Sequence, residues 1–174
     1  MAPHRDKQRA RQEEPTTLPP AERAREIALR ILSHSPRSAA QLREGLLTRE
    51  VEPQIADEVI ARYIEVGLLD DSALAAMIAR TRHHERGKSA RAIAVELRRK
   101  GFSDDDIASA LAPIDADAER AAAEQLAARK WHGTASLPTE VRVRRVVGHL
   151  GRKGYSPSLA FALVKNLQRA DIEG

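Results

Sequence analysis

Apolar residues recur at helical spacing along almost the whole chain. Ala24, Ile27, Ala28, Ile31 and Leu32 fall three and four apart, and Pro20 stands where a first helical residue tolerates a missing N–H. Ser38 opens a second segment carrying Leu42, Leu46 and Leu47. Pro53 opens a third, with Ile55, Val59, Ile60, Tyr63 and Ile64, and Gly67 is placed to end it as a left-handed cap. Asp70 and Asp71 are cap-type residues before Leu74, Met77 and Ile78, and this helix should stop near Gly87. Ser89 caps the next, which carries Ile93 and Leu97 and stops at Gly101. Ser103, with Asp106 three residues on, begins a helix holding Ile107 and Leu111 that Pro113 closes. An Ala-rich run from about 115 to 131 follows, then Val143, Val146, Val147 and Leu150. The valines make this the segment where a strand competes most strongly. Ser156 and Pro157 open a last helix with Leu159, Leu163, Val164 and Leu167. The pattern predicts an all-α chain of about nine helices and no strand.

The nine segments are three copies of one unit. Leu97-Arg98-Arg99-Lys100-Gly101-Phe102-Ser103 matches Leu150-Gly151-Arg152-Lys153-Gly154-Tyr155-Ser156 at an offset of 53, and Arg37-Ser38-Ala39 matches Lys88-Ser89-Ala90 at an offset of 51. Core positions then align: Leu42 with Ile93 and Val146, Leu46 with Leu97 and Leu150, and Val51 with Phe102 and Tyr155. The organisation expected is a disordered basic arm over 1–20, carrying Pro15, Pro19 and Pro20, then three-helix repeats over 21–69, 70–113 and 114–170.

The repeated Lys-Gly-aromatic-Ser turn reads as a corner between helices. Lys100 and Lys153 put positive charge at a helix's carbonyl end. Gly101 and Gly154 take the left-handed conformation that ends it. Phe102 and Tyr155 fold back as core plugs, and Ser103 and Ser156 cap the next helix. The first copy departs: Glu50 stands where the others have Gly, which costs about 1 kcal/mol if that corner is left-handed.

Charge refines this picture. The chain of 174 residues has 29 Lys plus Arg against 25 Asp plus Glu, a net +4, but the sign alternates by block. It runs net −3 over 21–79, net +6 over 80–101, net −6 over 102–126 and net +8 over 127–169. Two separated basic blocks predict a surface for an anionic partner, either a polyphosphate or an acidic protein. Cysteine is absent, which removes disulfides, thiolate metal sites and cysteine nucleophiles and fits a cytoplasmic chain. No stretch approaches the roughly 20 apolar residues of a membrane span, so no membrane association is expected.

Catalytic chemistry finds little support. There is no P-loop, dinucleotide fingerprint or nucleophile elbow. His83 and His84 are adjacent, so on a helix they point about 100° apart and cannot chelate one metal. Asp104, Asp105 and Asp106 fit a helix's first turn, where the dipole explains them. No enzyme activity, cofactor or metal is expected.

Direct base readout is also disfavoured, because the helix after Gly101 opens with three aspartates that phosphates would repel. The positive charge lies on the middle helices instead. Arg142, Arg145, His149 and Arg152 form one stripe, and Arg91, Arg98, Arg99 and Lys100 extend from the corresponding helix of the second copy. With Lys153, these basic residues are the expected partner-facing set, suited to phosphate tracking or an acidic protein groove. Reversing Arg142 and Arg145 to Glu is expected to leave helicity intact.

The stretch Gly67-Leu68-Leu69-Asp70-Asp71, Ala75, the Arg-Gly-Lys of 86–88, the run Glu96 to Phe102 and Arg152-Lys153-Gly154-Tyr155-Ser156 together resemble the RecX family of bacterial recombinase regulators. The likeness covers about residues 21–170, with Leu74 where the family usually has Phe and Glu50 in place of the first turn Gly. The resemblance implies three tandem three-helix repeats in an elongated, curved array. It implies binding to the RecA recombinase in the groove of its filament on single-stranded DNA, and suppression of its ATPase, strand exchange and coprotease activity. It implies no cofactor. A weak, salt-dependent contact to single-stranded DNA and a monomeric state are expected beside it. The alternative from another class is a helical nucleic-acid-binding module acting without RecA.

Overall fold

The computed structural model describes residues 18–173, so most of the expected arm over 1–20 lies outside the described residues. Among the described residues there are nine helices and no strand. They are α1 (Pro20–His34), α2 (Ala39–Leu47), α3 (Pro53–Glu65), α4 (Asp71–His84), α5 (Ala90–Arg99), α6 (Asp104–Leu111), α7 (Ala116–His132), α8 (Thr139–Arg152) and α9 (Pro157–Glu173). The valine-rich segment is helical throughout, because Val146 and Leu150 are fully buried on one face at helical spacing.

Caps explain where the helices start. Ser38, Asp70, Ser89, Ser103 and Asp115 each accept a hydrogen bond from a backbone N–H in the first turn that follows. Gln41 completes a reciprocal capping box with Ser38.

Helices pack in threes, α1–α3, α4–α6 and α7–α9, and each triple encloses its own core. In each triple the first helix contributes two alanines one turn apart: Ala24 and Ala28, Ala75 and Ala79, Ala123 and Ala127, all essentially inaccessible. Small residues there let the neighbouring helices approach closely. The second helix contributes Leu42 and Leu46, Ile93 and Leu97, or Val146 and Leu150, all fully buried. Phe102 and Tyr155 are buried plugs, and Val51 in the first repeat is partly buried. The three cores are separate, and the chain forms an elongated helical array.

The joints between repeats reuse one design. Each joint sets the start of a repeat's second helix against the next repeat's corner. The Ser38 hydroxyl donates to the Lys100 carbonyl, and the Ala39 N–H donates to Asp71 Oδ1 at 2.9 Å. At the second joint the Ser89 N–H donates to the Lys153 carbonyl and the Ala90 N–H to Glu119 Oε1, both at 2.9 Å. The Tyr155 hydroxyl adds a hydrogen bond to the Gly87 carbonyl at 3.1 Å, and burial raises its pKa to about 12.

The corner glycines are therefore constrained twice. Gly101 and Gly154 have φ of 80° and 93°. A Cβ on Gly101 would lie 2.4 Å from Ala40 Cβ, and one on Gly154 would lie 2.4 Å from Ser89 Oγ and 2.6 Å from Ala92 Cβ. Glu50 also adopts positive φ, 60°, so the first corner is left-handed as well. Among the described residues no other repeat's second helix docks at this corner, and a side chain needs only to tolerate the backbone conformation.

Candidate partner-binding surface

The eight basic residues singled out in the sequence separate into four groups. Arg91, Arg99, Arg145 and Arg152 are exposed, and none of them forms an ion pair among the described residues. Arg98 is exposed but reaches Asp104 Oδ1 at 3.3 Å, a solvated pair across its own corner. Lys100 and Lys153 are half-buried C-cap residues whose carbonyls serve the joints, and Lys153 Nζ also donates to the Arg86 carbonyl at 2.7 Å. Their first role is to hold the array together.

Arg142 is a correction. Instead of facing a partner it is buried, with its guanidinium carbon 3.8 Å from the centroid of the Trp131 ring. Its Nη1 donates to Asp171 Oδ2 at 2.8 Å and its Nη2 to the Trp131 carbonyl at 3.3 Å. Trp131 Nε1 donates to the same Asp171 oxygen at 3.0 Å, and these two donors hold the Asp171 carboxyl below its ordinary range. The offset of 53 explains the placement: position 142 corresponds to Ser89, the buried joint residue of the second repeat.

The same offset identifies an arginine that the stripe missed. Arg91 corresponds to Arg144 and Arg99 to Arg152, and all four are exposed. Arg144, Arg145 and Arg152 line one depression on α8 together with Lys130 of α7. Arg91 lies at the edge of the second joint with Gly151 and Gly154, and Arg99 lies beside the first joint with Gln41 and Lys88. Equivalent arginines thus stand on the second helices of two successive repeats, repeated by the fold itself.

The second repeat carries a half-buried charge cluster. Glu96 of α5 accepts from Arg82 Nε of α4 at 2.9 and 3.0 Å and from Lys88 Nζ at 2.9 Å. Arg82, the larger influence, and Lys88 bring the Glu96 carboxyl down to about 2. Asp71 behaves differently: burial at the first joint raises its pKa although the Ala39 N–H opposes this. Asp70 is the cap of α4, and Gly67, with φ of 72°, ends the turn after α3. The histidines stay apart in role: His83 is buried against the Lys88 carbonyl, while His84 is exposed. Among the described residues no group of three or more His, Asp or Glu could hold a metal ion, and no helix is long and apolar enough to cross a membrane.

Known proteins share this plan. Family models described as the first, second and third three-helix domains of RecX match residues 24–62, 70–111 and 117–164. The regulatory protein RecX of Thermobifida fusca is 42% identical over 149 residues, covering 86% of this chain and 80% of the relative. That of Streptomyces coelicolor is 43% identical over 155 residues, covering 89% and 81%. The crystal structure of RecX from Lactobacillus salivarius superposes with a TM-score of 0.72 at 19% identity, over 86% of this chain and 97% of that one. Three family domains in order, on three helix triples joined by one repeated joint, show that the chain belongs to the RecX family of regulatory proteins.

Proposed function

We propose that this chain binds the RecA recombinase and its filament on single-stranded DNA, and inhibits its ATPase, strand exchange and coprotease activity. The observation that carries this reading is the two pairs of equivalent exposed arginines on successive second helices, Arg91 with Arg144 and Arg99 with Arg152. A filament offers sites at regular intervals, and an array with charge at regular intervals meets them with avidity from individually weak contacts. Arg98 and Arg145 flank the same faces, while Lys100 and Lys153 hold the corners that space them. The protein acts as a monomer and needs no cofactor.

RecA ATPase on single-stranded DNA, measured against increasing amounts of this protein, tests the reading. The wild-type chain inhibits, and inhibition at substoichiometric amounts marks capping of filament ends. The Arg99→Glu, Arg152→Glu double variant keeps its helical circular dichroism and loses most of the inhibition. Full inhibition by that folded variant overturns the role of these arginines.

A second reading is a nucleic-acid-binding array acting without RecA. The depression lined by Lys130, Arg144, Arg145 and Arg152 favours it. It requires salt-sensitive DNA binding by the isolated protein and no effect on the recombinase once DNA is saturated.

A further inference from the structure

The buried alanine pairs and the core residues of the second helices set one register for all three repeats. In that register Ile31, Arg82 and Lys130 are equivalent on the first helices, and Gly45, Glu96 and His149 are equivalent on the second. Each set faces the groove between those two helices. In the second repeat the groove is neutralised from within, since the Glu96 carboxylate lies between Arg82 and Lys88. The third repeat keeps the cation, as Lys130, and adds Arg129 where the second repeat has Thr81. It replaces the carboxylate with His149.

The outcome is a cleft of about 870 Å³ where α7 and α8 meet the α4–α5 loop, with Arg86, Arg129, Lys130, His149 and Lys153 on its walls and Glu85 as its one acidic lining residue. None of the four permanent cations forms an ion pair among the described residues. One carboxylate satisfies the two cations of the second repeat, whereas this cleft holds four against one.

We propose that the α7–α8 groove of the third repeat binds the phosphodiester backbone of nucleic acid, whose phosphate occupies the place that the Glu96 carboxylate fills in the second repeat. An excess of several cations suits a chain of successive phosphates rather than one side-chain carboxylate. Recognition is by charge and independent of sequence, because Leu126 is the one large apolar side chain lining the cleft and no Phe, Tyr or Trp is among its lining residues. This deepens the single-stranded DNA contact of the proposed function and rests on that part of it, but requires no recombinase.

His149 supplies a signature of occupancy. Burial first, then Lys153 and Arg152 on its own helix and Lys130 and Arg129 on α7, lower its pKa, so the empty groove favours the neutral ring. His83 and His84 at the end of α4 and Glu85 and Arg86 of the α4–α5 loop also line the cleft. A phosphate entering among these cations favours the protonated ring, so binding takes up a proton and strengthens as pH falls from about 7.5 to about 5.5.

The test uses the full chain without recombinase and a fluorescent oligothymidylate as probe, titrated at low salt, with a duplex of equal length, poly-glutamate and inorganic phosphate as competitors. His149→Glu places in the third repeat the carboxylate that the second already has, and is expected to weaken oligonucleotide binding at least about tenfold while preserving helicity. Arg129→Ala with Lys130→Ala gives a second, independent loss. His149 ring resonances are expected to move toward the protonated form on binding. Undiminished binding by both folded variants overturns the site, even if the protein still inhibits RecA through its arginine ridge. Displacement by poly-glutamate at lower concentration than by oligonucleotide overturns the nucleic-acid assignment in favour of an acidic protein segment.

Discussion

The Arg142 guanidinium is centred 3.8 Å from the Trp131 ring, and both side chains donate to one oxygen of Asp171. This joins α7, α8 and the end of α9 across the third core. Arg142→Ala removes the stacking and two hydrogen bonds, and is expected to cost about 2 kcal/mol. Urea unfolding of the purified variant measures it. Arg145→Ala, one turn away and exposed, should leave the unfolding midpoint unchanged. Arg142 reversal is therefore unsuitable for probing partner binding, since it puts a carboxylate next to Asp171.

The corner positions should respond in opposite directions. Glu50→Gly relieves a left-handed non-glycine residue and is expected to stabilise the chain by about 1 kcal/mol. Gly67→Ala, in open space, should cost about 1 kcal/mol through conformation alone. Gly101→Ala and Gly154→Ala should each cost more, because the added carbon also pushes Ala40 or Ser89 out of the joint. Thermal unfolding of the four variants ranks them.

Acid should loosen the second repeat through Glu96. The Glu96 carboxyl is depressed to about 2 in the folded chain, against about 4.3 unfolded. The stability it contributes is therefore complete above pH about 4.5 and is lost as pH falls toward 2. Glu96→Gln is expected to cost about 2 kcal/mol at neutral pH and to flatten the acid limb of the stability curve, read by circular dichroism between pH 2 and 7.

If exposed arginines meet an anionic filament as proposed, inhibition depends on ionic strength. Raising salt from about 50 to about 200 mM should weaken RecA inhibition by the wild-type chain by at least tenfold. The Arg99→Glu, Arg152→Glu variant should show a shallower salt dependence of whatever inhibition it keeps. An ATPase titration at several salt concentrations reads both.

The repeat was legible because each level of the chain stated it: alanine and leucine spacing, caps and the corner motif agree. Ser38, Ser89 and Ser103 could be placed at helix starts from residue type alone, since capping is local chemistry. Arg142 was misread for a definite reason. Its spacing from Arg145 and His149 put it on a polar stripe, while its burial depends on Trp131 eleven residues earlier and Asp171 near the chain's end, partners that periodicity does not contain. The offset of 53 already held the correction, by pairing position 142 with Ser89 and pointing to Arg144 instead. The α7–α8 groove was invisible for a related reason: its cations come from α7, α8 and the α4–α5 loop, and only the joint brings the three together.

The joints also distinguish the inner repeats' edges from the outer ones. Each uses the unbonded N–H groups that a second helix offers at its start. In the third repeat α8 begins a turn earlier, and the Arg142 N–H, at the position of Ser89, is already committed to the Pro138 carbonyl. At the opposite end, Glu50 occupies the corner that would have to receive an earlier neighbour. The two outer edges of the array therefore lack what its inner joints use: a free donor at the start of α8 and a bare backbone at the first corner.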